Sequence, residues 1–319
     1  MTVADARVKR PVTIGLDIGG TKTAVLVADG AQRVLAQARG ATQADTPAAL
    51  LAATRRLVCD ALAAAGLTAA QVAAIGVGVP GQVNADSGEV LLAVNLNLTN
   101  YPLGSALAEA CGAPCLVEND ARLAAVGAYA WLAARQPVRH VAYLSVGTGI
   151  SAGFVLDGAL YRGAHGLAGE IGHVVVEPDG ARCGCGARGC LETIVSGPAI
   201  ARQGAAVLPP PCTAADVYAA ARQGHPGAQA VVQRVSGYLA RAIQWLLMTT
   251  DVEKIVIGGG VAGAGAAFLD PILHELARLR GHSPLFQTML RDDKLVLLPP
   301  DYNAGTWGAV RLAQQAIPL

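Results

Sequence analysis

The feature that most constrains the fold is a segment that occurs twice in the sequence. Residues 17–30 (DIGGTKTAVLVADG) and residues 145–158 (SVGTGISAGFVLDG) align without gaps and share five identities. Each copy follows a strand-like run, Val12–Leu16 or His140–Leu144, and each contains glycines that permit a sharp reversal of the chain. The similarity is either a coincidence of hairpin composition or the mark of two homologous domains. We favour two homologous domains that each begin with a glycine-turn hairpin.

The rest of the chain alternates between helix-like and strand-like patterns. Apolar residues recur at helical spacing in three segments, residues 50–65, 228–250 and 305–315. The continuous apolar run 72–79 is typical of a strand buried on both faces. Residues 254–260 predict a buried strand that enters a glycine turn, with a helix after Pro271, and the prolines of 208–213 indicate a surface connection. This alternation predicts an α/β architecture.

The mean hydropathy of +0.41 raises the question of membrane insertion. A spanning helix needs about 20 consecutive apolar residues. The longest candidate, residues 61–79, consists mainly of alanine and is interrupted by glycines and polar side chains. The first ten residues are charged and precede no long apolar core, so we expect neither a membrane partner nor a secretory signal.

Length, charge and cysteine content narrow the class of protein further. A chain of 319 residues exceeds what one hydrophobic core usually supports, which predicts two domains. The net charge is +1 and no run of five Lys or Arg residues occurs, so we expect no nucleic-acid partner. An odd number of cysteines, seven, without a signal sequence fits a reducing, cytoplasmic location.

Three of the seven cysteines fall within eight positions. Together with one preceding histidine they provide an imidazole and three thiolates, a tetrahedral ligand set for Zn²⁺; these residues are His173, Cys183, Cys185 and Cys190. The intervening glycines allow so short a loop to fold around one ion. Since protein fills all four positions, the site should be structural rather than hydrolytic. The alternative is a group of buried thiols without a metal.

Glycine turns that carry hydroxyls are candidates for binding a nucleotide. The segments Gly19-Gly20-Thr21 and Gly147-Thr148-Gly149 offer backbone N–H groups and hydroxyls to phosphate oxygens, and a third glycine turn occupies Gly258-Gly259-Gly260. Neither of the first two matches the P-loop or the dinucleotide-binding fingerprint. Their paired occurrence in duplicated positions favours a nucleoside triphosphate.

Carboxylates stand directly after the apolar run 114–117, where α/β folds place their sites. The segment is Glu118-Asn119-Asp120. The sequence leaves two interpretations open here, because Asn or Asp in such a place also caps a helix that begins at Ala121.

Seven motifs in this order resemble the ROK family of sugar kinases and sugar-responsive repressors: DIGGTKTAV, VPGQVN, ENDA, GTGISAG, AGEIGHVVVEPDG, CGCGARGCLE and IVIGGGV. They extend from residue 12 to about residue 263. The resemblance implies the actin/hexokinase fold, in which ATP and sugar meet in a cleft between two ribonuclease-H-like domains. The domains would be residues 1–117 with 301–319, and residues 118–300 with the zinc loop 173–190.

The resemblance also implies roles for individual residues. Asp120 would be the catalytic base that accepts a proton from a sugar hydroxyl, usually O6, as it attacks the γ-phosphorus. The sugar would be bound by Gly81, Asn95, Asn119, Asp120, Glu170, His173 and Glu192. Asp17 would orient Mg²⁺ through water. The nucleotide would contact Gly19, Gly20, Thr21, Lys22, Thr23, Gly147, Thr148, Gly149 and Gly258 to Gly260.

The sequence departs from the family pattern behind the expected base. The family commonly continues ENDA with Asn and then a Glu, whereas this chain has Arg122 and Ala128. The departure puts the support of the sugar loop in question more than the chemistry. It also keeps open a second class of function, a sugar-binding protein without catalysis. A repressor is disfavoured, because those carry a DNA-binding domain before the first hairpin and only eleven residues precede Val12.

The implied activity is an ATP-dependent hexose kinase with glucose as the first candidate substrate. N-acetylglucosamine, N-acetylmannosamine and fructose remain alternatives, since the preferred sugar depends on the room around C2. Polyphosphate is a conceivable donor, although no strip rich in Lys and Arg indicates a long polyanion track. We expect a homodimer or a higher homo-oligomer, as is common in the family.

Overall fold

The structure, a computed structural model, describes residues 12–317. Among these residues the α-helices are α1 (Pro47–Ala64), α2 (Leu103–Cys111), α3 (Asp120–Ala133), α4 (Glu192–Val195), α5 (Gly197–Gly204), α6 (Ala214–Arg222), α7 (Pro226–Thr250), α8 (Ala266–Arg280), α9 (Pro284–Met289) and α10 (Ala304–Gln315). The strands are β1 (Val12–Ile18), β2 (Lys22–Ala28), β3 (Val34–Ala41), β4 (Val72–Val79), β5 (Gln82–Asn84), β6 (Glu89–Ala93), β7 (Leu98–Tyr101), β8 (Cys115–Asn119), β9 (Val141–Val146), β10 (Ile150–Leu156), β11 (Ala159–Tyr161), β12 (Lys254–Gly258) and β13 (Leu295–Leu297).

Two five-stranded sheets of the same strand order confirm the predicted α/β fold. One sheet has the order β3-β2-β1-β4-β8 and the other the order β11-β10-β9-β12-β13. The first three strands of each are antiparallel neighbours, and the last two join in parallel. The duplicated hairpin occupies the same place in both sheets. Its turn differs by one residue, because Ile18 pairs with Thr23 whereas Val146 pairs with Ile150.

The described chain forms two compact units. Unit 1 contains residues 12–131, the short segment Arg162–Leu167 and residues 303–317, and unit 2 contains Leu132–Tyr161 and Ala168–Tyr302. These limits differ from the predicted division at residues 117/118 and 300/301. Most of α3 and the segment Arg162–Leu167 lie in unit 1.

Helix α10 packs so closely against the first sheet that the backbone of the helix contacts the backbone of the strands. A methyl group at Gly15 of β1 would lie 2.1 Å from the Thr306 carbonyl oxygen, and one at Gly76 of β4 would lie 1.9 Å from that of Ala309. Since no side chain fits between these backbones, the glycines are required for the helix to seat on the sheet.

Helix α3 meets α10 in the same way, which explains why it belongs to unit 1. A methyl group at Gly127 would lie 2.0 Å from the Ala304 carbonyl oxygen, and one at Gly308 would lie 1.7 Å from that of Leu123. Ala128, the second departure from the family pattern, is fully buried beside this contact.

The second sheet packs on the long helix α7, whose buried face includes Val235, Leu239 and Ile243. The predicted helix after Pro271 begins earlier than expected, because α8 starts at Ala266 and contains the proline. Pro271 occupies the sixth helical position, where its missing N–H leaves the Ala267 carbonyl without its usual helical donor. Within residues 12–317, no helix is both long and apolar enough to cross a bilayer.

Candidate active site

The expected catalytic base lies where β8 passes into α3. Asp120 is the first residue of α3, and its Oδ1 accepts a hydrogen bond of 2.8 Å from the Ala121 backbone N–H. Asn119 Oδ1 accepts one of 3.1 Å from the Arg122 backbone N–H. Asn119 therefore caps α3, while Asp120 stands at the carboxyl edge of the sheet, so the helix cap leaves Asp120 available for the predicted role.

Asn119 also contacts Gly81, another residue predicted to bind the sugar. Its Nδ2 donates a 3.0 Å hydrogen bond to the Gly81 carbonyl oxygen. Gly81 has a φ of +90°, and a methyl group there would lie 2.1 Å from the Leu92 carbonyl oxygen. This turn therefore requires glycine and holds the Asn119 amide in place.

The first glycine turn brings together several other predicted residues of unit 1. A methyl group at Gly20 would lie 3.0 Å from Asn95 Cβ, so the short helical turn that carries Asn95 rests on the glycine. Thr21 and Lys22 are exposed at the turn. Thr23 lies apart from them: it is buried, and its hydroxyl lies 2.9 Å from that of Thr42, which donates to the Gly19 carbonyl.

Asp17 lies at the end of β1, with its carboxylate beside the first turn of α10. A methyl group at Gly305 would lie 2.7 Å from Asp17 Oδ2. Burial and the neighbouring Asp120 carboxylate raise the pKa of Asp17 to about 6, and Arg39 opposes the shift. Two carboxylates of this kind form an oxygen-rich, electrostatically strained pair that fits a divalent cation.

We expect Asp17→Asn to stabilise the protein in the absence of nucleotide and Mg²⁺. Below about pH 4 the folded and unfolded chains both keep the proton, so the charge carries no cost. Because the folded-state pKa is about 6, the free-energy cost of the Asp17 charge grows between pH 4 and 6. Above pH 6 this cost is complete. The gain at pH 7.5 should be about 2 kcal/mol, and near pH 4 it should vanish. Urea unfolding at both pH values measures the gain in the free energy of unfolding. Asp45→Asn, which changes an exposed carboxylate, is the control. An equal gain at both values would contradict this origin of the pKa shift.

In unit 2 a cavity of about 740 Å³ borders the second glycine turn. Its lining includes Gly147, Thr148 and Gly260, three of the residues that the sequence analysis expects to contact a nucleotide. The Gly147 carbonyl accepts a 2.7 Å hydrogen bond from the Gly197 backbone N–H, which joins the turn to the start of α5. The volume lies within the usual range for small-molecule sites.

The remaining glycines of the third turn do not line this cavity. A methyl group at Gly259, which has a φ of +92°, would lie 2.4 Å from the Val146 carbonyl oxygen. One at Gly258 would lie 2.5 Å from the Tyr143 hydroxyl. Both glycines therefore allow β12 and β9 to approach, and Gly260 alone of the three reaches the cavity.

Sequence patterns missed most of the cavity wall. Its lining includes Pro198 of α5 together with Tyr218 and Arg222 of α6. The Tyr218 ring packs edge-on against Phe268, and its hydroxyl has no partner within the described residues. A tyrosine in an amphipathic helix is most often a core residue, so no local signal indicated that it borders a cavity.

Glu192 connects the second glycine turn with the cysteine cluster. Its Oε2 accepts a 3.2 Å hydrogen bond from the Ile150 backbone N–H, and a methyl group at Gly149 would lie 2.5 Å from the same oxygen. Its Oε1 lies 3.9 Å from Cys183 Sγ. The structure thus places this residue, which was predicted to bind the sugar, beside the second glycine turn as well.

The four predicted zinc ligands come together as expected. One ligand atom from each of His173, Cys183, Cys185 and Cys190 lies within 4.8 Å of all the others. Cys183 Sγ is 3.6 Å from His173 Nδ1, and Cys185 Sγ is 3.7 Å from Cys190 Sγ. Tetrahedral Zn²⁺ with Zn–S bonds of about 2.3 Å separates its ligand atoms by about 3.5–3.8 Å, so the donor set fits zinc.

Glycines make the loop around this cluster possible. Gly189 has a φ of +69°, and a methyl group there would lie 1.4 Å from the Glu177 carbonyl oxygen. Gly186, with a φ of +95°, turns the chain between two of the ligands. Burial raises the pKa of the Cys190 thiol to about 12, so its thiolate needs a cation beside it at neutral pH.

His173 faces two groups with its two ring nitrogens. Nδ1 points to the cysteine cluster, whereas Nε2 lies 3.8 Å from Glu170 Oε2. Glu170 is exposed. A metal on Nδ1 would fix the orientation of the ring and keep the proton on Nε2. From there the N–H can donate a hydrogen bond to Glu170 or to a ligand.

The family can now be assigned. The sequence profile of the ROK family matches residues 13–316. The chain belongs to the ROK family. It is 34% identical over 282 residues to a glucokinase of Halalkalibacterium halodurans, with 81% of this chain and 83% of that protein covered. It is 36% identical over 307 residues to an N-acetylmannosamine kinase of Citrobacter koseri, with 95% and 98% covered.

A solved ROK structure shares the fold. A ROK family glucokinase from Streptomyces griseus, in complex with glucose and AMPPNP, is similar with a TM-score of 0.79 and 33% sequence identity. The similarity covers 96% of this chain and 100% of that chain. The family resemblance inferred from the motifs is therefore confirmed.

Proposed function

We propose that this ROK protein is an ATP-dependent hexose kinase that phosphorylates the 6-hydroxyl of its sugar, with glucose as the preferred substrate. The observation that carries the proposal is the junction of β8 and α3, where Asp120 stands at the sheet edge beside the Asn119–Gly81 contact. A carboxylate held by a helix start, next to an amide anchored on a turn, suits a base and a hydroxyl-binding group.

In this function Asp120 accepts the proton of the sugar 6-hydroxyl as its oxygen attacks the γ-phosphorus. The bond between the γ-phosphorus and the bridging oxygen breaks, and ADP leaves. Phosphoryl transfer has a loose transition state, so positioning and charge neutralisation contribute more than the strength of the base. Asn119, Asn95 and the Gly81 backbone orient the sugar. Glu170, His173 and Glu192 are assigned to its anomeric side.

The phosphates of ATP are assigned to both glycine turns. Thr21 and Lys22 are exposed on the first turn, and Thr148 borders the cavity on the second. The cavity of unit 2 is assigned to the adenosine, since its size and largely apolar lining suit a purine nucleoside. Thr23 is the weakest member of the predicted set, because its buried hydroxyl is engaged by Thr42.

Two metals accompany this function. Mg²⁺ neutralises charge on the transferring phosphoryl group when it is bound, and Asp17 beside Asp120 would orient it through water. Zn²⁺ would be held by His173 and the three cysteines as a structural ion that stiffens the loop leading to Glu192. The cytoplasm as location, and a homodimer or higher homo-oligomer as assembly, belong to the same proposal.

The glucokinase relatives support glucose, and the N-acetylmannosamine kinase relative supports an aminosugar to a similar degree. A coupled assay of ADP release with ATP and Mg²⁺ separates them across glucose, N-acetylglucosamine, N-acetylmannosamine and fructose. We expect the highest kcat/KM with glucose, and polyphosphate in place of ATP to be a poor donor. Turnover with none of these sugars would refute the kinase and favour the non-catalytic sugar-binding protein.

A further inference from the structure

A buried carboxylate lies directly before the proposed catalytic residues. The Glu118 side chain is fully buried at the end of β8. Its Oε1 accepts a 2.8 Å hydrogen bond from the Asn119 backbone N–H, and Arg122 Nε lies 2.8 Å from the same oxygen without the alignment of a hydrogen bond. Its Oε2 accepts a 2.6 Å hydrogen bond from Arg162 Nε. A buried carboxylate with two guanidinium partners is satisfied, and removal of either partner is costly.

The two arginines connect Glu118 to the segment Arg162–Leu167, which we call the strap. Arg162 begins the strap and contacts Glu118 directly. Near its other end, the Gly166 carbonyl accepts a hydrogen bond from Arg122 Nη1. The strap is therefore fixed at both ends, by Glu118 at the end of β8 and by Arg122 in the first turn of α3.

The strap passes directly into the loop that carries Glu170. Gly169, three residues after Gly166, is itself fixed on β10, since its carbonyl accepts a 2.8 Å hydrogen bond from the Ala152 backbone N–H. A methyl group at Gly169 would lie 1.8 Å from the Ala152 carbonyl oxygen. Only Leu167 and Ala168 lie between these two anchored glycines. This second anchor bounds the strap, so the position of the strap itself depends on the contacts of Arg162 and Gly166.

Arg122 and Gly166 fit each other. A methyl group at Gly166 would lie 3.0 Å from Arg122 Nη1, and the φ of +65° at this residue also favours glycine. The Arg122 side chain is only 4% exposed, so it packs as part of the core. A guanidinium at this position is long enough to lie against Glu118 and reach the strap at the same time.

From this geometry we propose that Arg122 is a positioning residue for the sugar site. Its guanidinium holds the strap and lies against Glu118, whose carboxylate accepts the Asn119 backbone N–H, and so it steadies a residue proposed to bind the sugar. The departure from the family pattern is then a compensated exchange rather than a loss of support. The kinetic part of this proposal rests on the proposed hexose kinase activity, whereas the strap contact does not.

Arg122→Lys tests whether the Arg122 guanidinium fixes the strap, because the variant keeps a cation beside Glu118. One ammonium group cannot replace a planar guanidinium that serves two acceptors in different directions. Hydrogen exchange of the strap amides should accelerate about tenfold in this variant and more in Arg122→Ala, with β1 and β4 unchanged. Arg56→Ala, an exposed arginine of α1, is the control. Unchanged strap exchange in Arg122→Lys would overturn the proposal.

Steady-state kinetics of the full-length variants provide the second readout. We expect the KM for sugar to rise about tenfold in Arg122→Lys, with the KM for ATP and kcat within about threefold of wild type. A fall in kcat at unchanged sugar KM would place the effect on Asp120 instead and refute the proposal. If Arg122→Ala does not fold, Arg162→Gln releases the strap from its exposed end and should accelerate the same amides. A wild type without kinase activity would refute the proposed function. The hydrogen-exchange data would still show whether Arg122 fixes the strap.

Discussion

Asp120→Asn is expected to lower kcat by about 10³-fold under saturating sugar and ATP, because the amide cannot accept the proton of the 6-hydroxyl. The substitution should leave the fold intact. Asparagine Oδ1 can still accept the hydrogen bond from the Ala121 backbone N–H that the carboxylate accepts now. The coupled assay of ADP release measures the effect.

A second readout distinguishes lost chemistry from lost structure. The Asp120 charge raises the pKa of Asp17, so Asp120→Asn should also raise the free energy of unfolding at pH 7.5 in the absence of ligand. Asp60→Asn, an exposed carboxylate of α1, serves as control and should change neither quantity. If Asp120→Asn keeps its activity within about tenfold of wild type, Asp120 is not the base.

Cys185→Ser is expected to reduce bound zinc from about one ion per chain to a small fraction, because a hydroxyl is a much poorer ligand than a thiolate. Cys185 is exposed, so the exchange leaves no cavity in the core. The loop from His173 to Glu192 should then lose order, and the KM for sugar should rise at least about tenfold. Metal analysis and kinetics on the same preparation measure both effects.

The matched control for the cluster is Cys59→Ser, since Cys59 is an exposed cysteine on α1 and is not one of the proposed ligands. In this variant the zinc content, the free energy of unfolding and the KM for sugar should equal those of wild type. Prolonged treatment of wild type with a strong chelator should reproduce the Cys185→Ser behaviour, and added Zn²⁺ should reverse it. Unchanged zinc content in Cys185→Ser would show that the ligand assignment is wrong.

Local patterns sufficed to predict the elements that repeat or that carry a compact motif. The hairpins around Gly19 and Gly147, the buried strand β4 and the terminal helix α10 all follow from periodicity and glycine placement. The cluster of one histidine and three cysteines was predictable because one short loop contains it. These features depend on neighbours along the chain, and so the sequence reports them directly.

Features that depend on distant parts of the chain were not predictable. Arg122 looked like a loss of support, because nothing local shows that Gly166, 44 positions later, would accept its hydrogen bond. Nothing local to Tyr218 and Arg222 indicated that α6 would lie beside the cavity. The predicted start of α8 was wrong because Pro271 lies inside the helix rather than before it.

The seating of α10 on Gly15 and Gly76 has a consequence for biosynthesis. Strands β1 and β4 are made early, but the helix that covers them follows the whole of Ala168–Tyr302 along the chain. During translation the second sheet and its helices can assemble first, while the opening sheet still exposes the apolar face that α10 will occupy. The amino-terminal unit is thus completed only after the chain of the second unit has been made.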